Sequence, residues 1–408
     1  MPPGGHVSQR AKITGRTLHL YGAFDAGMAG KIFEIPECDR LAIRTLDLSD
    51  VDSLFADGAL PVVADYMRNR KRLRIRCEGK SHLTRPLELH GWLRLLTDGI
   101  SSPDQRIPQR VQHFTSIDSV DKFVTRSVRA VMQRVKCATD VLKSFEWSLS
   151  EVIGNVFTHS ESHVGGLAQT LILPRSRVIR FSVVDTGIGL RGSLSKRYRD
   201  VRNDLVAIQL AIQKGVTRDT SAGQGWGLFG TSKIASASGG LLSIWTGTGK
   251  MVIDSSGHAE FFEVPFFRGT AVDFSLRTDR SLSLQKAIDA VYDTTSIVFN
   301  DYEDIQGLAR FKLTDQASAF SDRAIGKKMR NMVLNILFQP GNDVCVLDFS
   351  NVRVVASSFA DEFLGKMAVE LGSNFETRIR LNNISEDNQR IVSTAVATRI
   401  ASGHKQTS

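Results

Sequence analysis

The hexapeptide Leu46-Asp-Leu-Ser-Asp-Val51 returns near the other end of the chain as Leu347-Asp-Phe-Ser-Asn-Val352. Phe55-Ala-Asp57 likewise returns as Phe359-Ala-Asp361, with three extra residues before it in the second copy. Each copy reads as a buried strand running into a turn, then a helix, then a basic strand. The economical account is one β-α module used twice, once at each end, with something different between them.

A chain of 408 residues has room for two or three domains. Its composition, 42% hydrophobic and 23% charged, suffices for real cores. The longest apolar runs, such as Leu167 to Leu173, fall far short of the ~18–20 residues of a membrane helix. The start, Met1-Pro-Pro-Gly-Gly-His6, lacks the basic head and apolar body of a signal peptide. A cytoplasmic protein with no membrane contact is expected. Cys38, Cys77, Cys137 and Cys345 lie far apart and read as reduced thiols, not as a zinc knuckle or disulfide framework. The net charge is +9. Part of it sits in Arg68, Arg70, Lys71, Arg72, Arg74 and Arg76, with no interleaved aromatic beyond Tyr66. This cluster reads as a solvated face, so nucleic acid is not an expected partner.

Along the first module, residues 1–105, Arg16 to Tyr21 and Leu41 to Leu48 read as strands, Leu54 to Met67 as a helix and Leu73 to Cys77 as a strand. Ser101-Ser-Pro-Asp104 reads as a linker. The middle, residues 110–278, opens with helical patterns over Ile117 to Phe145 and Ser148 to His159. Strands follow at Leu167 to Leu173 and Val178 to Val184. A polar, glycine-bearing stretch then holds one helical piece near Leu205 to Ile212. A helix at Gly227 to Ala237 precedes strands at Leu241 to Trp245, Met251 to Ile253, Phe261 to Val264 and Ala271 to Phe274. Helices first and an antiparallel sheet later is an α+β sandwich pattern. The last module, 284–402, returns to strand (Val344 to Phe349), helix (Phe359 to Leu371) and strand (Arg378 to Leu381). Residues 403–408 read as a disordered tail.

Three motifs in the middle carry chemistry. The helix Ser148 to His159 sets Glu151, Asn155 and His159 four residues apart, on one face. Val183-Val-Asp-Thr-Gly-Ile-Gly189 runs a buried strand into an acid and two glycines. An acid there can accept from an amino group, and the glycines let backbone approach a ligand. Gly223-Gln-Gly-Trp-Gly-Leu-Phe-Gly230 leads into a helix whose free N–H groups suit phosphate. It is not a dinucleotide fingerprint: no apolar strand precedes it and no acid follows at the expected ~20 residues. There is no Walker A loop.

Taken in this order, the three resemble the N box and two glycine boxes of the gyrase, heat-shock chaperone, histidine-kinase and mismatch-repair ATPases. Gly269-Thr270, followed by Ala-Val-Asp-Phe, resembles their closing strand. The resemblance implies a Bergerat-type α/β sandwich, helices on a mixed sheet, binding ATP and Mg2+ under a mobile lid at Leu190 to Ala222. It implies that Asn155 ligates Mg2+, that Asp185 holds the adenine amino group, and that Gly187 and Gly189 shape the adenine pocket. Gly223, Gly225 and Gly227 would wrap the phosphates, with Leu228 beside them and Thr270 near the adenine. Within that family, ATP-hydrolysing members and anti-sigma-factor serine kinases carry a Glu where Glu151 stands. A carboxylate there fits a general base. No phospho-acceptor histidine helix precedes the domain. His159 and His163 read H-S-E-S-H, not a zinc H-E-x-x-H.

The end modules resemble STAS domains, the fold of anti-sigma-factor antagonists; the C-terminal one looks closest to a bacterial STAS-like domain. In antagonists a serine at the helix start is phosphorylated by a kinase of this same superfamily. Ser357 occupies that place, but the usual Asp before it is Ala356. The plain alternative makes Ser357 the helix N-cap. The expected protein is thus a regulatory ATPase between two STAS-like modules. A serine kinase acting on a STAS partner and a non-catalytic nucleotide sensor stand as alternatives. Its expected partners are ATP and a STAS-like or other regulatory protein, and a homodimer stays open.

Overall fold

The computed structural model describes residues 10–79, 90–98, 109–217, 226–288, 297–304, 306–339 and 341–403. It is an α+β structure with three separate sheets. The linker Ser101 to Asp104 lies outside the described residues, as does the expected tail 403–408 except for Gly403, which ends the last helix.

The N-terminal sheet runs in the order β1 (Ala11–Thr14), β2 (Thr17–Phe24), β3 (Thr45–Leu54), β4 (Arg74–Arg76), with the last three parallel. Between them lie α1 (Ala26–Glu34), α2 (Glu37–Ala42) and α3 (Ala56–Arg68), and α4 (Trp92–Thr97) follows β4. The expected strand at Leu41 to Leu48 is corrected here. Leu41 and Ala42 close α2, which begins after Pro36 and carries Glu37 and Asp39 in its first turn, where acids suit the helix dipole. Strand β3 instead continues to Leu54, because β2 stays beside it as far as Phe24.

The central sheet has the order β5 (Gln112–Phe114), β6 (Gly166–Leu173), β7 (Val178–Asp185), β9 (Ala259–Arg277), β8 (Leu241–Ile253). Every neighbouring pair is antiparallel, so the expected mixed sheet is not found. The four short strands expected after Leu241 are two long ones. One face of the sheet carries α5 (Ile117–Arg134), α6 (Val141–Asn155) and α9 (Gly227–Ser238). The continuous helix expected from Ile117 to Phe145 breaks between α5 and α6, where Asp140 adopts φ 59. A π turn, Val156–Ser160, ends α6. Helices α7 (Gly189–Leu194) and α8 (Asp204–Ala211) lie in the connection before α9; only the second was expected.

The opposite face of this sheet is covered by the N-terminal module. Alternation along β7 sends Val183 to the helix-covered core and Val184 to the other. Phe33 of α1 sits edge-on to Trp245 and Phe267, with centroids 5.4 and 5.3 Å away. Asp57, at the start of α3, binds Arg180 of β7 at 2.9 Å, and Asp273 of β9 holds the same guanidinium. That half-buried arginine stays firmly protonated because two carboxylates face it.

After α10 (Leu284–Ile288) and α11 (Ile297–Asn300) comes the C-terminal sheet, β10 (Ala309–Lys312), β11 (Cys345–Asp348) and β12 (Ile379–Asn382), all parallel. Helix α12 (Arg323–Leu337) packs on α5. Its fully buried Asn335 accepts from Cys137 N at 2.8 Å and donates to Met132 O and Val135 O at 3.1 and 2.8 Å. The helix expected from Phe359 begins earlier, as α13 (Ser357–Ala360), and passes through a π turn (Asp361–Gly365) into α14 (Lys366–Leu371). Helix α15 (Phe375–Arg378) leads into β12, and α16 (Glu386–Gly403) closes the chain described. No described helix is long and apolar enough to cross a membrane.

The sequence repeat has a structural counterpart. Asp47 and Asp348 stand on the central one of three parallel strands, and each accepts the N–H two residues on, from Ser49 at 3.0 Å and Ser350 at 2.9 Å.

Candidate functional site

A cavity of about 440 Å³ opens between the helix layer and the central sheet. Its volume lies in the range of small-molecule sites, about 300–1,000 Å³. Glu151, Asn155 and His159 line it from successive turns at the end of α6 and its π turn. Asp185, at the end of β7, and its register partner Thr270 on β9 form the floor. Gly189, Leu190, Ser193 and Leu194 close one side, and Trp226, Gly227 and Leu228 another.

The carboxyl of Asp185 is fully enclosed. Its Oδ1 accepts the Gly187 N–H at 2.8 Å, and the Thr270 N–H helps. Burial outweighs both and pushes its pKa up to about 7. Among the described residues no Lys, Arg or His nitrogen lies within 4.0 Å of it. Because it lines the cavity, this carboxyl can also accept a hydrogen bond from a group bound there. Glu151 is likewise raised by burial.

Two glycines explain the local chain path. A Cβ on Gly187 would fall 1.9 Å from Ser160 O, so only glycine lets the strand end pass beneath the π turn. The Ile188 N–H then donates to that same carbonyl at 2.8 Å. Gly189 adopts φ 69 as α7 begins. The hydroxyl of Thr246 accepts the Leu190 N–H at 3.0 Å and donates to Gly269 O at 2.8 Å, tying α7 to the sheet. Gly227 lies against the helix: a Cβ there would stand 2.7 Å from Glu151 Oε2 and 3.6 Å from Asn155 Nδ2.

The cavity therefore brings together Glu151, Asn155, Asp185, Gly189, Gly227, Leu228 and Thr270. Gly187 supports it from behind. Gly223 and Gly225 lie outside the described residues. Ser357 does not line the cavity. The expectation that Ser357 caps its helix is corrected: Ala356 holds the N-cap position, Ser357 is the first helical residue and exposed, and Ser358 donates to Ser321 O. Extended backbone at Ala356 sets the cap one residue early. Sequence reasoning gave no role to Trp226, although it sits between the glycines, and placed Leu190 and Leu194 only within the expected lid, although their i, i+4 spacing marks one helix face that lines the cavity. Among the described residues no group of three His, Cys, Asp or Glu side chains is placed to hold a metal.

Residues 325–389 match the family model described as a STAS-like domain of unknown function. The match begins in α12 and runs into α16, taking in β11 and β12. A search of the curated proteins finds no match. The C-terminal module is thus STAS-like, within a chain of mixed α+β architecture.

Proposed function

We propose that the central domain binds ATP with Mg2+ and turns it over slowly, and that nucleotide state controls the contacts of the two end modules. The observation that carries this reading is the gathering of Glu151, Asn155, Asp185, Thr270 and Gly227 around one cavity. The residues suit the ligand. Asp185, at the cavity floor, can accept from an exocyclic amino group. Apolar Val183, Leu190 and Val272 give a purine flat walls. Asn155 would hold Mg2+, which arrives with the phosphates and neutralises their charge. Glu151 faces the same space, and its raised proton affinity suits it to take a proton from an attacking hydroxyl.

Coupling to the modules has a physical basis. Strand β7 carries Arg180, held by Asp57 of the first module, and five residues on it carries Asp185. The α5–α6 connection is held by Asn335 of the last module, and α6 carries Glu151 and Asn155. The N-terminal module is read as STAS-like because its three parallel strands place Asp47 as the C-terminal module places Asp348.

A second reading, phosphoryl transfer to a serine of a STAS-like module, draws on the exposed Ser357 at the start of α13. Incubation with Mg2+ and ATP labelled on the γ-phosphate separates the two. Free phosphate, cut about 10²–10⁴-fold in Glu151→Ala with binding retained, is the expected result. Label on the protein moves the assignment to the kinase, and retention of nucleotide with no turnover moves it to a sensor.

A further inference from the structure

The basic run Arg70-Lys71-Arg72, followed by Arg74, looks like a solvated face when read alone. The fold adds two cations from elsewhere in the chain. The Arg44 N–H donates to Arg16 O at 2.8 Å, and the Arg74 N–H donates to Arg44 O at 2.8 Å. Arg16, Arg44 and Arg74 thus stand on neighbouring backbone at one end of β2, β3 and β4, strands ~4.8 Å apart. The turn Arg70 to Arg72 leads into the same end, with Arg70 held at φ 52, a conformation glycine or asparagine usually takes. All these arginines are exposed. Among the described residues no carboxylate lies within 4.0 Å of Arg16, Arg44, Arg70, Lys71, Arg72 or Arg74. Acids close by along the chain are engaged with other cations, Asp47 with His19, Asp65 with Arg40 and Glu78 with Arg76.

The second module is an internal control. With Asp47 set on Asp348, strand register puts Arg16 at the position of Ala309 and Arg44 at that of Cys345. Ala309 and Cys345 are buried, 3% and 0% exposed. The module folds with a small apolar residue at both positions, so its fold does not demand the two arginines. Six unpaired cations crowded at one sheet end repel one another and favour a polyanion.

We propose that this end of the N-terminal sheet binds the phosphodiester backbone of duplex nucleic acid, without reading its sequence. Two observations favour that partner. A protein-binding patch is built around an apolar or aromatic centre; among the described residues of this module the exposed large apolar side chains are Phe55, at the opposite end of β3, and Ile13, a single aliphatic on the edge strand β1 beside Leu18, which together make no such centre among the arginines. A single-strand site needs aromatic platforms for bases, and none of the six residues, nor any between Arg70 and Arg74, is aromatic. What remains is phosphate contact, which positions without specifying. The inference is independent of nucleotide binding in the central domain.

The test is fluorescence anisotropy of a labelled 25-base-pair DNA duplex with the full-length chain, in Mg2+-free buffer without ATP, over a salt series. About five phosphate contacts give a log–log salt slope of about −4.5, or about 500-fold weaker binding at 200 than at 50 mM salt. Arg16→Ala with Arg44→Ala and Arg70→Ala should bring the slope to about −2 while leaving the melting temperature within a few degrees. If that variant does not fold, Lys71→Ala with Arg72→Ala, both in the turn, should flatten the slope by about 2. Absence of duplex binding at 50 mM salt overturns the proposal, as does an unchanged slope in folded variants. Cluster-dependent binding of poly-glutamate or anionic vesicles but not of duplex overturns it too, assigning the patch to an acidic protein or a lipid surface.

Discussion

Replacing Asp185 with Asn isolates the cost of burying one carboxyl. The side chain keeps its shape and can still accept the Gly187 N–H, but loses its titration. In the wild type the folded-state pKa stands at about 7, against 3.8 for an unperturbed Asp. The folded chain therefore holds a proton that the unfolded chain has already lost. The stability tied to that proton is fully present below about pH 4 and disappears as pH rises through 7. The slope in that window is about −1.4 kcal/mol per pH unit, and the whole effect about 4 kcal/mol. Carboxylates held low by partners, such as Asp348 and Asp361, are common to both proteins and cancel in the difference. Asp185→Asn should match the wild type at pH 4 and exceed it by about 4 kcal/mol at pH 8, about 10 °C in melting temperature for a domain of this size. Ligand-free thermal melts of both proteins at unit steps from pH 4 to 8 measure this. Parallel curves, or a variant that is the weaker of the two at pH 8, would refute the argument that Asp185 is enclosed and without a cation.

Other perturbations test the framework around the cavity. Asn335→Ala leaves the Cys137 N–H and two buried carbonyls without their partner; about 3 kcal/mol should be lost, and limited proteolysis should release the C-terminal module sooner. Gly187→Ala pushes a methyl into Ser160 O and should abolish nucleotide-dependent thermal stabilisation, whereas Gly154→Ala, with nothing within 4 Å of the new methyl, should stabilise α6 by about 0.5–1 kcal/mol.

The parts of the fold that the sequence disclosed are those carried by short-range pattern. Glu151, Asn155 and His159 share a face because helical period requires it, and they do line one cavity. Asp185 could be placed at a strand end because an apolar run stops there at Thr186-Gly187. The repeated L-D-x-S marked the central strand of each end module. What stayed hidden depends on distant partners. Nothing local to Phe33, Trp245 or Phe267 tells that they meet, so the docking of the first module on the back of the central sheet was not visible. The Leu41–Leu48 segment is apolar enough for a strand, yet Pro36 and the acids after it start a helix. The exposed Ser357 was misplaced by one residue because extended backbone at Ala356, not side-chain chemistry, sets the helix start. Arg16 and Arg44 looked unrelated to the 70–76 run until parallel pairing laid them side by side.

Calorimetric titration of ATP into the full-length protein, with Mg2+ and again with a chelator, is the most direct test of the central claim. The account predicts saturable binding at one site, weakened without Mg2+, and an Asn155→Ala variant that binds equally with and without the metal. No saturable heat at millimolar ATP, with wild type folded and Mg2+ present, would contradict it.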